Sequence, residues 1–297
     1  MKKFFMGALI ATLSTQAFTC SIDGKGGFVP ENDLYIDVNA ESISSIDEQK
    51  FNEVINKVEK VYSPIVAALG GKLEVVRKWN DGTVNAYAQQ VGSTWKVSMF
   101  GGLARHEAIT EDGFALVICH EIGHHIGGAP KKGGSAGGFW TGGAASWASN
   151  EGQADYWATT KCLRKVFRTE NNAQIVAKMN VPATVVNTCA EQFSSEEDRL
   201  ICQRGSMAGL STAKLFQSLR SSSKAPSFDT PDKKVVSSTD DNHPDFQCRL
   251  DTYFQGAICH IDEMIDAAQD SEEIGFCYRA NGDKLGVRPL CWFKPAR

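Results

Sequence analysis

The sequence predicts an α+β fold that is mostly helical, with a small antiparallel sheet packed on one apolar helix. From Asp47 to Leu69 the apolar residues recur at helical spacing, and two glycines follow. The apolar run 111–128 predicts a second, buried helix. Between these helices, alternating apolar and polar residues with turn residues between them predict two or three short strands, at 72–79, 84–89 and 95–100.

The half of the chain that follows the apolar run is also predicted to be helical. Residues 183–219 predict two helices that meet at Gly205, and the segment 242–250 leads into a further helix that ends near Ala268. The expected organisation is a signal peptide at 1–19 and a single domain at 20–297, made of a part with the sheet and the apolar helices at 72–168 and a cystine-rich helical part at 183–297.

The N-terminus predicts an export signal. Lys2 and Lys3 precede the apolar run 4–13, which is too short to cross a membrane as a helix. Cleavage after Ala17 would release a soluble protein, whereas acylation of Cys20 would give a lipoprotein, and the residues around Cys20 favour the first alternative. We expect a periplasmic or secreted protein, with an outer-membrane lipoprotein as the alternative. The net charge of −4 over 297 residues argues against a nucleic-acid partner.

Nine cysteines indicate an oxidising compartment. Cys119 lies within the apolar run, and we expect it to be a buried free thiol. Short sequence separations suggest Cys189–Cys202 and Cys277–Cys291 as local pairs, while the full connectivity stays open. The eight cysteines expected to form disulfides are Cys20, Cys162, Cys189, Cys202, Cys248, Cys259, Cys277 and Cys291.

The strongest motif is His120-Glu121-Ile-Gly-His124, within the apolar run. Residues four apart lie on one helix face, so His120 and His124 present two imidazoles to the same point. Two neutral imidazoles one turn apart form half of a catalytic zinc site. Glu121 follows the first ligand, where a carboxylate can reach a metal-bound water without binding the metal, as a general base must. The motif therefore predicts a catalytic centre with one zinc ion per chain.

A second motif, Glu151-Gly-Gln-Ala-Asp155, opens the next predicted helix. Taken alone, it can be an acidic first turn that is favourable to the helix dipole. Because it follows a helix with two histidine ligands, Glu151 predicts the third protein ligand, with the fourth position left for water. Asp155 lies one turn further and can accept the second ring N–H of a ligand histidine, which fixes the tautomer of that ring.

Residues 131–147, between the two motifs, are rich in Gly, Ala and Ser. Such a stretch is conformationally loose. It is either a linker or a mobile loop beside the active site, in which Trp140 and Trp147 cover the substrate or exclude water. Its position between two ligand-bearing helices favours the second interpretation.

These motifs and two further segments resemble the gluzincin metallopeptidases of the HtpX, CAAX-prenyl-protease and BepA-like group. Val84-Asn-Ala-Tyr-Ala88 is similar to a strand of that family, and Val97-Ser-Met-Phe-Gly-Gly-Leu103 to its edge strand and the turn after it. His243-Pro-x-x-x-x-Arg249 is similar to a late element that folds back toward the active site. The chain departs from the family in having no transmembrane helices after its signal and no tetratricopeptide repeats.

The resemblance implies a zincin-type fold and a zinc endopeptidase that acts on extended or unfolded polypeptide. Its substrate would lie along the edge strand, bound by main-chain hydrogen bonds that tolerate many sequences. In this chain the residues that match the edge strand are Trp95, Lys96, Val97, Ser98 and Met99.

The resemblance also implies that His243 or Arg249 approaches the zinc, as an auxiliary or inhibitory ligand or as a stabiliser of the tetrahedral intermediate. The residues themselves leave simpler alternatives open. His243 can be a turn residue before Pro244 with its ring in solvent, and Arg249 can brace the active-site helices through a carboxylate.

The predicted function is peptide-bond hydrolysis by a zinc-activated water, with Glu121 as general base and a protein or peptide as substrate. The alternative is a non-catalytic zinc-binding envelope protein that holds its partners by strand addition. Both use the same metal site, and the presence of Glu121 favours the enzyme.

Overall fold

The computed structural model describes residues 18–19, 26–40, 44–133, 146–220 and 224–295. Cys20, Trp140 and all of the predicted signal peptide except residues 18–19 lie outside these ranges. Within the described part of the chain, no helix combines the length and the apolar character that a membrane span requires.

Helix α1 (Glu48–Ala68) forms where the apolar periodicity predicts it. The side chain of Asp47 accepts a hydrogen bond from Lys50 N and caps the first turn. Pro64 lies within the helix without ending it. One face of α1 is buried against the sheet and the apolar helix, through Phe51, Val54, Ile55, Val58, Tyr62 and Val66.

The sheet is mixed. It contains β2 (Lys72–Lys78), β3 (Ala86–Val91) and β4 (Thr94–Phe100), with Phe18–Thr19 as a short β1 beside β3. The strand order is β1-β3-β4-β2. Strands β3 and β4 form an antiparallel hairpin, whereas β2 runs parallel to β4. The prediction of an antiparallel sheet is therefore wrong for β2.

The predicted edge strand for substrate, Trp95–Met99, lies inside the sheet. Strand β4 is bonded on both sides, since Trp95 is paired with Leu73 of β2 and with Gln90 of β3. The edge-strand prediction is therefore wrong. Strands that follow each other along the chain would leave β4 at an edge if they formed a meander, but the connection from β2 to β3 crosses over and β4 enters between them.

Two helical segments after the sheet carry the predicted motifs. A short helix α2 (Gly101–Arg105) leads to α3 (Glu111–Ile126), which Thr110 caps by accepting from Gly113 N. Helix α4 (Glu151–Trp157) continues through a π-helical turn and into α5, in place of one regular helix. The π-helical turn spans Ala158–Cys162 and α5 spans Leu163–Phe167.

The regular elements in the rest of the described chain are helices, joined by irregular segments. Its elements are α6 (Asn172–Val176), α7 (Ala183–Gln192), α8 (Glu196–Ser218), α9 (Phe246–Ile258) and a 3-10 turn (Arg279–Asn281). The predicted break at Gly205 is wrong, because this glycine lies within α8. The close approach of α9 occurs one turn later, at Gly209, where a Cβ would lie only 2.5 Å from Cβ of Tyr253. Helix α9 ends ten residues before the predicted Ala268, at Ile258, and the extended Cys259 follows.

Four disulfides form among the described cysteines: Cys119–Cys162, Cys189–Cys202, Cys248–Cys291 and Cys259–Cys277. The predicted Cys189–Cys202 pair is confirmed, and Cys277–Cys291 is wrong. The prediction of a free thiol at Cys119 is also wrong. Its disulfide joins α3 to the π-helical turn that follows α4, so one covalent bond links the two segments that carry the metal-ligand motifs. Disulfides fit a protein of an oxidising compartment.

Candidate metal centre

Helix α3 carries the histidine pair into the interior of the protein. Helix α4 approaches α3 closely at Gly123. A Cβ atom at this position would lie only 3.2 Å from Cα of Ala154. His120 and His124 are both fully buried, and their ring centroids are 4.7 Å apart. The spacing along the sequence therefore brings the two rings together as predicted.

Glu151 is the first residue of α4, and Asn150 caps this helix by accepting a hydrogen bond from Gln153 N. Oε2 of Glu151 lies 3.3 Å from Nε2 of His120, and Oε1 of Glu151 lies 3.7 Å from Nε2 of His124. Ligand atoms of these three residues all lie within 4.8 Å of one another. The structure thus assembles two imidazoles and one carboxylate that can hold a metal ion.

A hydrogen bond at Nδ1 fixes the tautomer of each of the two rings. Nδ1–H of His120 donates to Oδ1 of Asp155 at 2.7 Å, and Nδ1–H of His124 donates to the carbonyl oxygen of Ser149 at 2.8 Å. The two Nε2 atoms and Oε2 of Glu151 are buried without a hydrogen-bond partner among the described residues. A cation at this point would satisfy the three converging atoms, and two imidazoles with one carboxylate form a donor set that fits zinc.

Burial and the charges around the centre shift the pKa of each candidate ligand. Burial opposes the charged form of His120, but Asp155 and Glu151 outweigh burial and raise its pKa to about 9. Burial lowers the pKa of His124 well below its usual value. Burial alone would raise the pKa of Glu151, but nearby positive charges, first that of His243, hold it well below its usual value. A carboxylate and one neutral imidazole are therefore present at neutral pH, and His120 would exchange a proton for a metal.

Glu121, the predicted general base, is fully buried on α3 next to His120. It is not part of the group of described residues whose ligand atoms converge. Glu121 directly follows His120 on α3, in the sequence position that a proton-transfer group requires.

Asp155 is the centre of a buried network that extends to α9. Its carboxylate accepts from Nε and Nη2 of Arg249, both at 2.7 Å, and from the hydroxyl of Tyr253 at 2.7 Å. Burial alone would raise the pKa of Asp155, but the charges of Arg249 and His120 lower it. Arg249 thus braces the site through a carboxylate. Tyr253 was not predicted, although its spacing of four from Arg249 places both on one helix face.

His243 approaches the centre and is not a solvent-exposed turn residue. Its side chain is 18 % exposed, its Nε2 lies 3.4 Å from Oε2 of Glu151, and Nε2–H donates to the carbonyl oxygen of Gly27 at 2.8 Å. Phe28, which follows Gly27, is fully buried, and its ring centroid lies 5.0 Å from that of His120. This N-terminal segment was not predicted as part of the site. Its one sequence signal is the apolar pair Phe28-Val29 within a mostly polar segment.

Two more residues near the centre come from the C-terminal end of α3 and the segment after it. The ring of His125 is stacked between Trp95 and Trp147, at centroid distances of 5.5 and 4.7 Å, and lies outside the ligand group. Lys132, which the sequence analysis did not single out, donates from Nζ to Oε1 of Glu151 at 2.7 Å. The start of the Gly-rich stretch therefore contacts the third candidate ligand directly.

Comparison with known proteins finds no family model, no curated protein and no solved structure that significantly matches this chain. The resemblance to gluzincins therefore rests on the sequence motifs.

Proposed function

We propose that this chain is a zinc-dependent endopeptidase of the gluzincin type, exported to the periplasm or secreted, that hydrolyses extended or unfolded polypeptide. The observation that carries the proposal is the convergence of unsatisfied, buried atoms of His120, His124 and Glu151, and the buried Glu121 follows the first of them on the same helix. A purely structural role for this cluster would leave three buried polar atoms without partners, which costs stability.

The residues of the site divide the chemistry between them. His120, His124 and Glu151 would hold the ion, and a zinc ion bound there supplies a Lewis acid that polarises the scissile carbonyl and acidifies water. Glu121 takes a proton from the attacking water and delivers it to the leaving amine nitrogen. Asp155 holds Nδ1–H of His120, which keeps the Nε2 lone pair directed at the ligand point.

The edge of β3 that faces away from β4 is the candidate site for an extended substrate. Strand β3 packs against the metal helix α3. Its outer edge already accepts extended chain, because Phe28 N donates to Ala86 O at 2.9 Å and Phe18–Thr19 is paired with Gln89 and Gln90. Main-chain bonds of this kind suit a polypeptide substrate of variable sequence.

The test is incubation of the purified exported protein with unfolded casein, with and without a chelator, beside the Glu121→Gln variant. We expect chelator-sensitive cleavage by the wild type, about one zinc ion per chain by elemental analysis, and a variant that keeps its zinc but does not cleave. Cleavage by Glu121→Gln at the wild-type rate would contradict the assignment of the general base.

The same assay separates the enzyme from the non-catalytic alternative. A wild type that binds zinc but cleaves nothing would favour a binding protein, unless the centre is closed in a latent state. His243→Ala addresses that state, because it removes the side chain that lies between Gly27 and Glu151. Cleavage that begins in His243→Ala supports a latent enzyme, and continued inactivity rejects the peptidase.

A further inference from the structure

Lys132 is a buried cation in direct contact with a candidate metal ligand. Its Nζ lies 2.7 Å from Oε1 of Glu151, and the two side chains are 8 % and 1 % exposed. Lysine is seldom buried to this extent without a specific partner. The contact therefore joins the start of the Gly-rich stretch to the first residue of α4.

The main chain fixes Lys132 in this position. Its backbone N–H donates to Ala148 O at 2.9 Å, and Ser149 N donates in turn to the carbonyl oxygen of His124 at 2.9 Å. Lys131 and Ser149 form an isolated antiparallel bridge. The two ends of the Gly-rich stretch are thus paired with each other and bound to the end of the metal helix.

The two oxygens of Glu151 have separate environments. Oε1 accepts from Lys132 and lies 3.7 Å from Nε2 of His124. Oε2 lies closer to the imidazoles, 3.3 Å from Nε2 of His120 and 3.4 Å from Nε2 of His243, and has no hydrogen-bond partner among the described residues. An ammonium group that occupies a lone pair of one carboxylate oxygen and repels a cation there favours metal binding through the other oxygen. Without that hold, both oxygens can turn toward the same ion.

We propose that Lys132 is a positioning residue that holds Glu151 by Oε1 and presents Oε2 alone as the third metal ligand. This inference rests on the proposed metal centre and assigns a role to the base of the Gly-rich stretch. The ammonium group also repels a dication, so the proposal requires that orientation of the carboxylate outweighs this repulsion.

The experiment measures metal binding rather than cleavage. Zinc dissociation constants are obtained by competition with a chromophoric chelator for the wild type and for Lys132→Met, and the visible spectrum is recorded after cobalt(II) substitution. We expect Lys132→Met to weaken zinc binding by about 10–100-fold, as loss of other residues that orient a ligand does. The cobalt spectrum should change, because Glu151 becomes free to bind through two oxygens.

Lys131→Met is the matched control. Lys131 is buried to a similar extent in the same segment, but its Nζ donates to Gln269 and to Trp147 O and not to a candidate ligand. We expect its zinc affinity and cobalt spectrum to equal those of the wild type. If Lys132→Met does not fold by circular dichroism, Lys132→Gln is measured with the same expected direction.

Three results are informative. An unchanged affinity and spectrum for Lys132→Met would overturn the inference, and so would tighter zinc binding, which would mean that Lys132 competes with the metal for Glu151. A wild type that binds no zinc would overturn the proposed function itself. The failures of the two proposals are therefore distinguishable.

Discussion

The buried ion pair between Asp155 and Arg249 allows a quantitative test of how the centre is held together. Both side chains are fully buried, and two hydrogen bonds of 2.7 Å join them. Asp155→Asn leaves the guanidinium without its countercharge, and Arg249→Met leaves the carboxylate without its own. Breaking a buried pair from one side costs about 3–5 kcal/mol, so each variant should lose that much of the free energy of unfolding.

In the double variant Asp155→Asn/Arg249→Met neither charge is left unpaired. Its loss of free energy of unfolding should therefore be smaller than the sum of the losses in the two single variants by roughly 3 kcal/mol. This value is at the upper end of the interaction energies found for residues in direct contact. The assay is urea unfolding followed by tryptophan fluorescence, with a chelator present so that metal binding does not contribute. Zinc affinity should fall about 10–100-fold in both variants that carry Asp155→Asn, because His120 loses its charged acceptor.

A surface pair of similar length provides the control. Arg220 and Asp245 are 2.7 Å apart, with side chains that are 45 % and 54 % exposed. Arg220→Met should cost at most about 1 kcal/mol, because solvent screens the exposed pair. The reasoning is refuted if Arg249→Met costs no more than this control, or if the losses in the double variant are simply additive.

Two further predictions concern stability. Replacing Cys119 and Cys162 by Ala should lower the free energy of unfolding by about 4 kcal/mol, since their disulfide closes a loop with a sequence separation of 43. Urea titrations under non-reducing conditions measure this difference, and equal stability of the variant and the wild type would contradict the prediction. Burial raises the pKa of Asp251 to about 6 against the donors Asp232 N and Gln247. The folded state therefore binds a proton at a higher pH than the unfolded state does. The free energy of unfolding should fall by up to about 3 kcal/mol as pH rises from about 4 through 6. The variant Asp251→Asn should lack this pH dependence, and an identical dependence in the variant would refute the assignment.

Local spacing explains what could be predicted about the centre. His120 and His124 face one point because both lie on one helix at a spacing of four, which follows from helix geometry whatever surrounds the helix. The same geometry predicts α1 and places Asp155 one turn after Glu151. Side chains on one helix face need no tertiary contact to align.

Contacts between distant parts of the chain could not be predicted in the same way. The hydrogen bond from Arg249 to Phe28 O spans 221 residues, and the bond from Lys132 to Glu151 depends on how the ends of an irregular stretch are paired. No periodicity encodes such contacts. The disulfide of Cys119 belongs to the same class, because its partner is presented by the π-helical turn after α4.

The sequence by itself determined helices α1 and α3 and the ligand types at the centre, since periodicity and the chemistry of imidazole and carboxylate act over a few residues. Only the tertiary structure decided that β4 lies between β2 and β3, because strand order depends on which edges meet after the crossover connection. It also decided that Glu151 is shared between Lys132 and the two imidazoles. These features arise from packing across the whole fold, where the free energy of many long-range contacts selects one arrangement among several that the local sequence allows.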